Sequence, residues 1–176
     1  MNAVSTVGGL LLRSARRWPD APALVEEQTV LTHGQAAARA RTAAGRLAAR
    51  GVRPGDRVAL ALPNGWRYAV AYYAVQLAGA TAVLVNTRFA PPEIEYVLGD
   101  SGACAAVVDA ETAARVPQLG PHWDVGELTG PGAEPGDLPG LLRLSSDLRL
   151  ARGALATVAR RTGLQRGLRD VGFARQ

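Results

Sequence analysis

Three side chains carry the most versatile chemistry in this sequence: Cys104, His33 and His122. Nucleophilic work by Cys104 needs a thiolate, and so a cation or a helix N-terminus close enough to lower the thiol pKa. Its surroundings, Ala103-Cys104-Ala105-Ala106-Val107-Val108, are apolar and hold no His, Arg or Lys. Cys104 is therefore read as a small buried hydrophobe in a strand. His33 and His122 stand alone, without the short ligand spacing that a metal site needs, and His33 is read as a packing residue. Asn86-Thr87-Arg88 follows an apolar run, which places Arg88 at a strand's C-terminal end, where α/β folds hold ligands. Asp56 and Asn64 look site-like but read as a turn former and a helix cap. Tyr68, Tyr72 and Tyr73, at near-helical spacing, read as core and interface. No Gly-x-Gly-x-x-Gly fingerprint occurs, so a dinucleotide site lacks its main support. These residues assign no catalytic, no cofactor-binding and no metal-ligating position.

The elements that would position these residues follow from capping and periodicity. Ser5 or Thr6 can cap a first helix with apolar Val7, Leu10, Leu11 and Ala15, stopped at Trp18 because Pro19 disfavours helical geometry before it. Ala23-Leu24-Val25 and Val30-Leu31 read as short strands around the turn Glu26-Glu27-Gln28. Thr32 and Gln35 have capping-box spacing for a helix running to about Arg50, with Gly51 as its left-handed stop. Three apolar runs, 57–62, 80–85 and 104–108, read as buried parallel strands. Helices at about 65–77, opened by Asn64, and after Pro91-Pro92-Glu93, with Ile94, Val97 and Leu98 buried, separate them. Strand, helix, strand, helix, strand at this spacing is an α/β fold: a mostly parallel sheet flanked by helices.

Composition narrows the function classes. The 176 residues are 48% hydrophobic and carry a formal charge of +5. All twenty basic residues are Arg, and none is Lys. Residues 1–137 hold 12 Arg against 13 acids, whereas residues 138–176 hold 8 Arg against 2 acids. The body is thus near neutral, which argues against nucleic acid or an anionic membrane as its partner. A single cysteine excludes an internal disulfide and a multi-cysteine metal site, and it fits a reducing compartment. No secretory signal and no apolar run long enough to span a bilayer is visible, so the expected location is cytoplasmic.

One series of blocks carries a resemblance. Pro19-Asp20-Ala21-Pro22-Ala23-Leu24-Val25 and Leu31-Thr32 come first, then Gly51-Val52-Arg53-Pro54-Gly55-Asp56-Arg57-Val58-Ala59-Leu60 and Leu62-Pro63-Asn64. Ala78-Gly79-Ala80, Val85-Asn86-Thr87-Arg88 and Pro92-Glu93-Ile94-Glu95-Tyr96-Val97-Leu98 complete it. In this order over residues 18–109, the chain resembles the N-terminal part of the adenylate-forming (AMP-binding) superfamily, specifically the acyl-CoA synthetases that act on fatty or aryl acids. The resemblance implies a two-step reaction. A carboxylate and ATP form an acyl-adenylate, and the coenzyme A thiol then displaces AMP. It also implies ATP, Mg and CoA as cofactors of the full-length family, with a carboxylate and CoA as partners.

The family's Ser/Thr/Gly-rich phosphate loop ends in Pro-Lys-Gly, where amides and a lysine wrap polyphosphate. It is expected just after Pro135-Gly136-Asp137-Leu138. This chain reads Leu141-Leu142-Arg143-Leu144-Ser145-Ser146-Asp147-Leu148-Arg149 there, without the glycines or the lysine. The expectation is an N-terminal segment truncated before the phosphate loop, non-catalytic alone and binding none of these cofactors itself. The switch to an Arg/Leu-rich composition motivates the hypothesis of a frameshift near 138–144; absence of a Ser/Thr/Gly-rich phosphate loop from the gene's other reading frames would count against it. The domain reading is 1–116, the N-terminal part of a ligase domain; 117–140, a Gly/Pro-rich linker; and 141–176, a basic tail, irregular or helical. An alternative function is a non-enzymatic binding module. It would pair with a related ligase, or bind nucleic acid through residues 155–171, where Ala159, Gly163, Leu164, Leu168 and Val171 faintly follow a helix-turn-helix. Exposed apolar surface on such a segment also predicts self-association.

Overall fold

The computed structural model of the chain describes residues 6–116 and 121–130. It opens with α1 (Val7–Arg17) and an antiparallel hairpin, β1 (Pro22–Glu26) and β2 (Thr29–Thr32). Glu27, in the hairpin turn, has φ 46°, a left-handed conformation uncommon outside glycine. Next come α2 (His33–Ala49), β3 (Arg57–Ala61), α3 (Trp66–Leu77), β4 (Thr81–Leu84), α4 (Pro91–Ser101) and β5 (Ala105–Val108). The elements α5 (Ala110–Arg115), β6 (His122–Asp124) and α6 (Val125–Thr129) complete it.

The second sheet is parallel throughout, in the order β4-β3-β5-β6. Alternate residues of β3 face opposite layers, as a pleated strand requires. Val58 and Leu60 pack with Ala71, Ala74 and Val75 of α3 and with Ala43, Ala44 and Leu47 of α2. Ala59 and Ala61 face Ile94 of α4 and Val116 after α5. The sheet is therefore covered on both sides. The α2–α3 contact is built on alanines, whose small side chains let the backbones approach. A third cluster joins Leu11 and Leu12 of α1 to Leu31, Ala36, Ala37, Ala40 and Val70.

The predicted caps at Thr6 and Thr32 are present. Thr32 Oγ1 accepts from Gln35 N at 3.2 Å while Gln35 Oε1 accepts from Thr32 N at 3.0 Å, a complete capping box. Gly51, at φ 93°, ends α2: its N–H reaches Ala48 O and that of Val52 reaches Leu47 O, which satisfies carbonyls the helix leaves free.

Four readings need correction. Asn64 does not cap α3; Gly65 holds the cap position without a side-chain bond, and the cap comes from elsewhere. β4 is not covered like its neighbours, because it lies at the sheet edge with Leu84 58% exposed. On α1, Gly8, Leu11 and Leu12 face inward, while Val7 and Leu10 are exposed. The stretch 121–130, within the segment read as a linker, carries β6 and α6, and β6 extends the sheet beside β5. The helix-turn-helix-like segment 155–171 and the supposed frame change lie outside the described residues.

Candidate functional site

All four strands of the parallel sheet point the same way, so their C-terminal ends gather Leu62-Pro63-Asn64, Asn86-Thr87-Arg88 and Asp109 along one edge. β3 leads through α3 to β4 on one side, and the chain then crosses to β5 on the other. Such a reversal of strand order opens a crevice at the carboxyl edge.

Two clefts flank the turn after β3. The first, of about 700 Å³, is lined by Leu62, Asn64, Tyr68, Asn86, Thr87 and Arg88 among others. Asn86 Oδ1 accepts the Arg88 N–H at 2.9 Å, which bends the loop after β4. Arg115 of α5 holds that loop from behind, donating to Thr87 O at 2.6 Å and to Phe89 O at 2.9 Å. The lining offers amide, hydroxyl and one guanidinium group and no carboxylate, a set suited to a polar or anionic ligand group.

The second cleft, of about 620 Å³, lies between the hairpin turn and the start of α3, with Glu26, Asn64, Trp66, Arg67, Asp109 and Val125 in its walls. Glu27 lines it as well, and the other two of its three acids are engaged in helix caps. Glu26 Oε2 accepts from Trp66 N at 2.9 Å, and Asp109 Oδ1 accepts from Thr112 N at 2.8 Å as the cap of α5. The Trp66 ring lies between two guanidinium groups, Arg39 at 5.2 Å and Arg67 at 4.9 Å. Tyr68 borders both clefts; burial first, and then neighbouring Tyr72, push its phenol pKa up.

Cys104 is exposed rather than buried; it precedes β5, and its N–H donates to Arg57 O at 2.8 Å. Its thiol pKa is raised by partial desolvation and, second, by the Asp56 carboxylate, the opposite of what a nucleophile needs. Asp56 is the predicted turn former, its Oδ2 accepting from Arg53 N at 2.7 Å. His33 begins α2, with a buried Nδ1 that has no hydrogen-bond partner, and His122 lies in β6. Among the described residues, no three His, Cys, Asp or Glu side chains are grouped to hold a metal ion. Tyr72 and Tyr73 meet edge to face at 5.8 Å, and the two rings pack on different core clusters.

Sequence reasoning missed the arginines of α2. Arg46 Nη1 donates to the carbonyls of Glu127 (2.6 Å), Leu128 (2.9 Å) and Gly130 (3.3 Å), and Arg39 Nη1 to that of Thr129 (3.2 Å). Arg50 lies 3.7 Å from the Glu127 carboxylate and 5.9 Å from the Trp123 ring. These groups satisfy the end of α6 and fasten β6–α6 to α2. Positions 39, 46 and 50 share one helix face, a readable spacing, but nothing local identifies what that face meets.

The chain is similar to known proteins over part of their length. The family profile described as "AMP-binding enzyme" matches residues 11–131. Feruloyl-CoA synthase of Amycolatopsis sp is 38% identical over 137 residues, 76% of this chain and 28% of that protein. Long-chain-fatty-acid–CoA ligase FadD13 of Mycobacterium tuberculosis is 37% identical over 112 residues, 62% of this chain and 22% of that protein. Among solved structures, the O-succinylbenzoate coenzyme A synthetase of Bacillus subtilis, in complex with AMP, superposes with a TM-score of 0.66 and 31% identity. That match covers 72% of this chain and 34% of the other.

Proposed function

The chain belongs to the AMP-binding enzyme family, and from that premise we propose that it forms the N-terminal segment of an ATP-dependent ligase that activates a carboxylic acid and passes it to coenzyme A. The observation that carries this reading is the family match over residues 11–131, together with two relatives whose names specify acyl or aryl CoA-ligase activity. Within such an enzyme, the carboxyl edge of the sheet, with Asn64, Asn86, Thr87 and Arg88, forms one wall of the ligand-binding region.

The residues described here do not fit a nucleotide triphosphate with its metal. A triphosphate calls for several preorganised cations and amides. The first cleft supplies one guanidinium, Arg88, and the second adds one, Arg67, beside three carboxylates, of which Glu26 and Asp109 cap helices. The sequence also holds no lysine. The proposal is therefore that these 176 residues do not form an adenylate alone. The test is pyrophosphate release from ATP, with ferulate or a long-chain fatty acid supplied as the carboxylate. No release above the protein-free rate is expected, and carboxylate-dependent release would overturn it.

A second reading, a non-enzymatic module that pairs with a related ligase, is favoured by one observation: β4 is an edge strand with an exposed leucine. Co-purification with a full-length relative at the expense of the free chain would support it.

A further inference from the structure

The near-neutral balance of residues 1–137 conceals a segregation of charge across the parallel sheet. On one side, helices α1 and α2 hold six Arg and no acid. On the other, residues 89–114 hold five acids and no base. Within that stretch α4 turns Glu95, Tyr96 and Asp100 to solvent, Tyr96 with 71% of its surface exposed. Tyr96 and Asp100 are i, i+4 neighbours on the helix, and Glu95 stands beside Tyr96.

This face is both fixed and uncovered. Ile94, fully buried against Ala59 and Ala61 on the inner side of α4, holds the helix to the sheet. A Cβ on Gly99, one turn beyond Glu95, would meet nothing within 4 Å. Among the described residues, no ion pair engages Glu95 or Asp100. Glu93 differs, since its carboxylate accepts the Ala90 N–H at 2.7 Å. Two bases flank the helix ends: Arg57 beside Gly102, and Arg115, which is committed to Thr87 O and Phe89 O.

We propose that this outward face of α4 docks the chain's own basic segment, residues 138–176. That segment holds eight Arg against two acids and so carries the charge that the face lacks. A guanidinium can fork onto a carboxylate or lie over a tyrosine ring, and the face offers both groups side by side. The described residues end at Gly130, whose carbonyl is held by Arg46 of α2 on the opposite side of the sheet. From there, residues 131–143 reach about 43 Å at full extension, enough to round a domain of this size. The tether keeps the effective concentration high, so contacts that are individually weak suffice. Docking by a second copy would forgo that tether. Nucleic acid and anionic lipid are repelled by the same carboxylates.

The test uses the full 176-residue chain with a nitroxide on Cys104, which is exposed and four positions beyond Asp100. In isotope-labelled protein at low salt, amides of 138–176 should lose NMR signal relative to the reduced, diamagnetic label. Added salt, about 0.5 M, should restore it, because exposed pairs are screened. Glu95→Gln with Asp100→Asn should lower the docked-to-free ratio about fivefold, and Tyr96→Ser about threefold. These side chains are exposed, and unchanged amide shifts in β3 and β5 check that the fold is kept. A mixture of isotope-labelled chain, its Cys104 capped with iodoacetamide, and unlabelled chain bearing the nitroxide should leave 138–176 at full signal. Signal loss as large in the mixture as within one chain would assign the contact to a second copy and overturn the proposal. No loss at low salt, or a loss undiminished in both variants, would overturn it as well.

Discussion

The carboxylate of Glu26, at the end of strand β1, accepts the backbone N–H of Trp66 at 2.9 Å and so caps helix α3 from 40 positions away. A negative charge at this helix end also suits the macrodipole. Gly65 makes room for it, since a Cβ there would lie 2.7 Å from Glu26 Oε1. The hairpin and the crossover helix are thereby tied at the edge of the second cleft.

Glu26→Ala should cost about 1 kcal/mol, the usual value of a lost helix cap. Gly65→Ala should cost a similar amount, because the added methyl displaces the same carboxylate. The double variant should cost less than the sum, since the second change removes a bond already lost. Urea denaturation of the four proteins measures this, and strict additivity would show that the two residues act independently.

Thr32→Ala should destabilise by about 1 kcal/mol, because it removes one half of a reciprocal capping box. Asn64→Ala should stay within about 0.5 kcal/mol, because its exposed side chain caps no helix. Denaturation midpoints of the pair separate the cap that exists from the one the sequence suggested.

Arg46→Met keeps the stem of the side chain but removes the donor shared by three carbonyls of residues 127, 128 and 130. A charged hydrogen-bonding group is worth about 2 kcal/mol. The expected loss is local: amides of 122–130 exchange faster while those of β3 and β5 keep their protection. Uniform protection across both regions in the variant would refute this role.

Cys104 should react fully with a thiol reagent in the native protein, as an exposed side chain does, but slowly at neutral pH. Partial desolvation and, second, the Asp56 carboxylate hold its thiol pKa up, so little thiolate is present. Asp56→Asn removes the negative charge, lowers that pKa and should speed the reaction at fixed pH. An amide oxygen can still accept from Arg53 N, so the turn is kept. Alkylation rates over a pH series give both values directly.

Leu84→Lys places a charge on the exposed sheet edge, a common protection against edge-to-edge pairing. If the chain associates with itself through this edge, sedimentation velocity should show the variant monomeric at concentrations where the wild type is not.

Much of the fold was legible because its signals are local. The Thr6 and Thr32 caps, the Gly51 stop and the prolines opening α4 each act within a few residues. The apolar runs placed β3, β4 and β5, and the ordered blocks from Pro19 to Leu98 pointed to the family that the profile over residues 11–131 identifies. The candidate site was legible only in outline. Asn86-Thr87-Arg88 was expected at a strand end and does line a cleft there, whereas Glu26 and Arg115 carried no sequence signal of their part in it.

By itself the sequence determined the family, the order of the α/β elements and the spread of charge, since each is written in residue type and short spacing. Tertiary structure alone decided which strands lie at the sheet's edges, which carboxylate caps α3 and what the α2 arginines hold. Those outcomes depend on partners 40 and 81 positions apart in the chain. A carboxylate or guanidinium has no preference for such a partner until packing of the sheet brings the two within hydrogen-bond reach. The same packing turned Leu10 out and Leu11 and Leu12 in, although all three belong to one run of leucines.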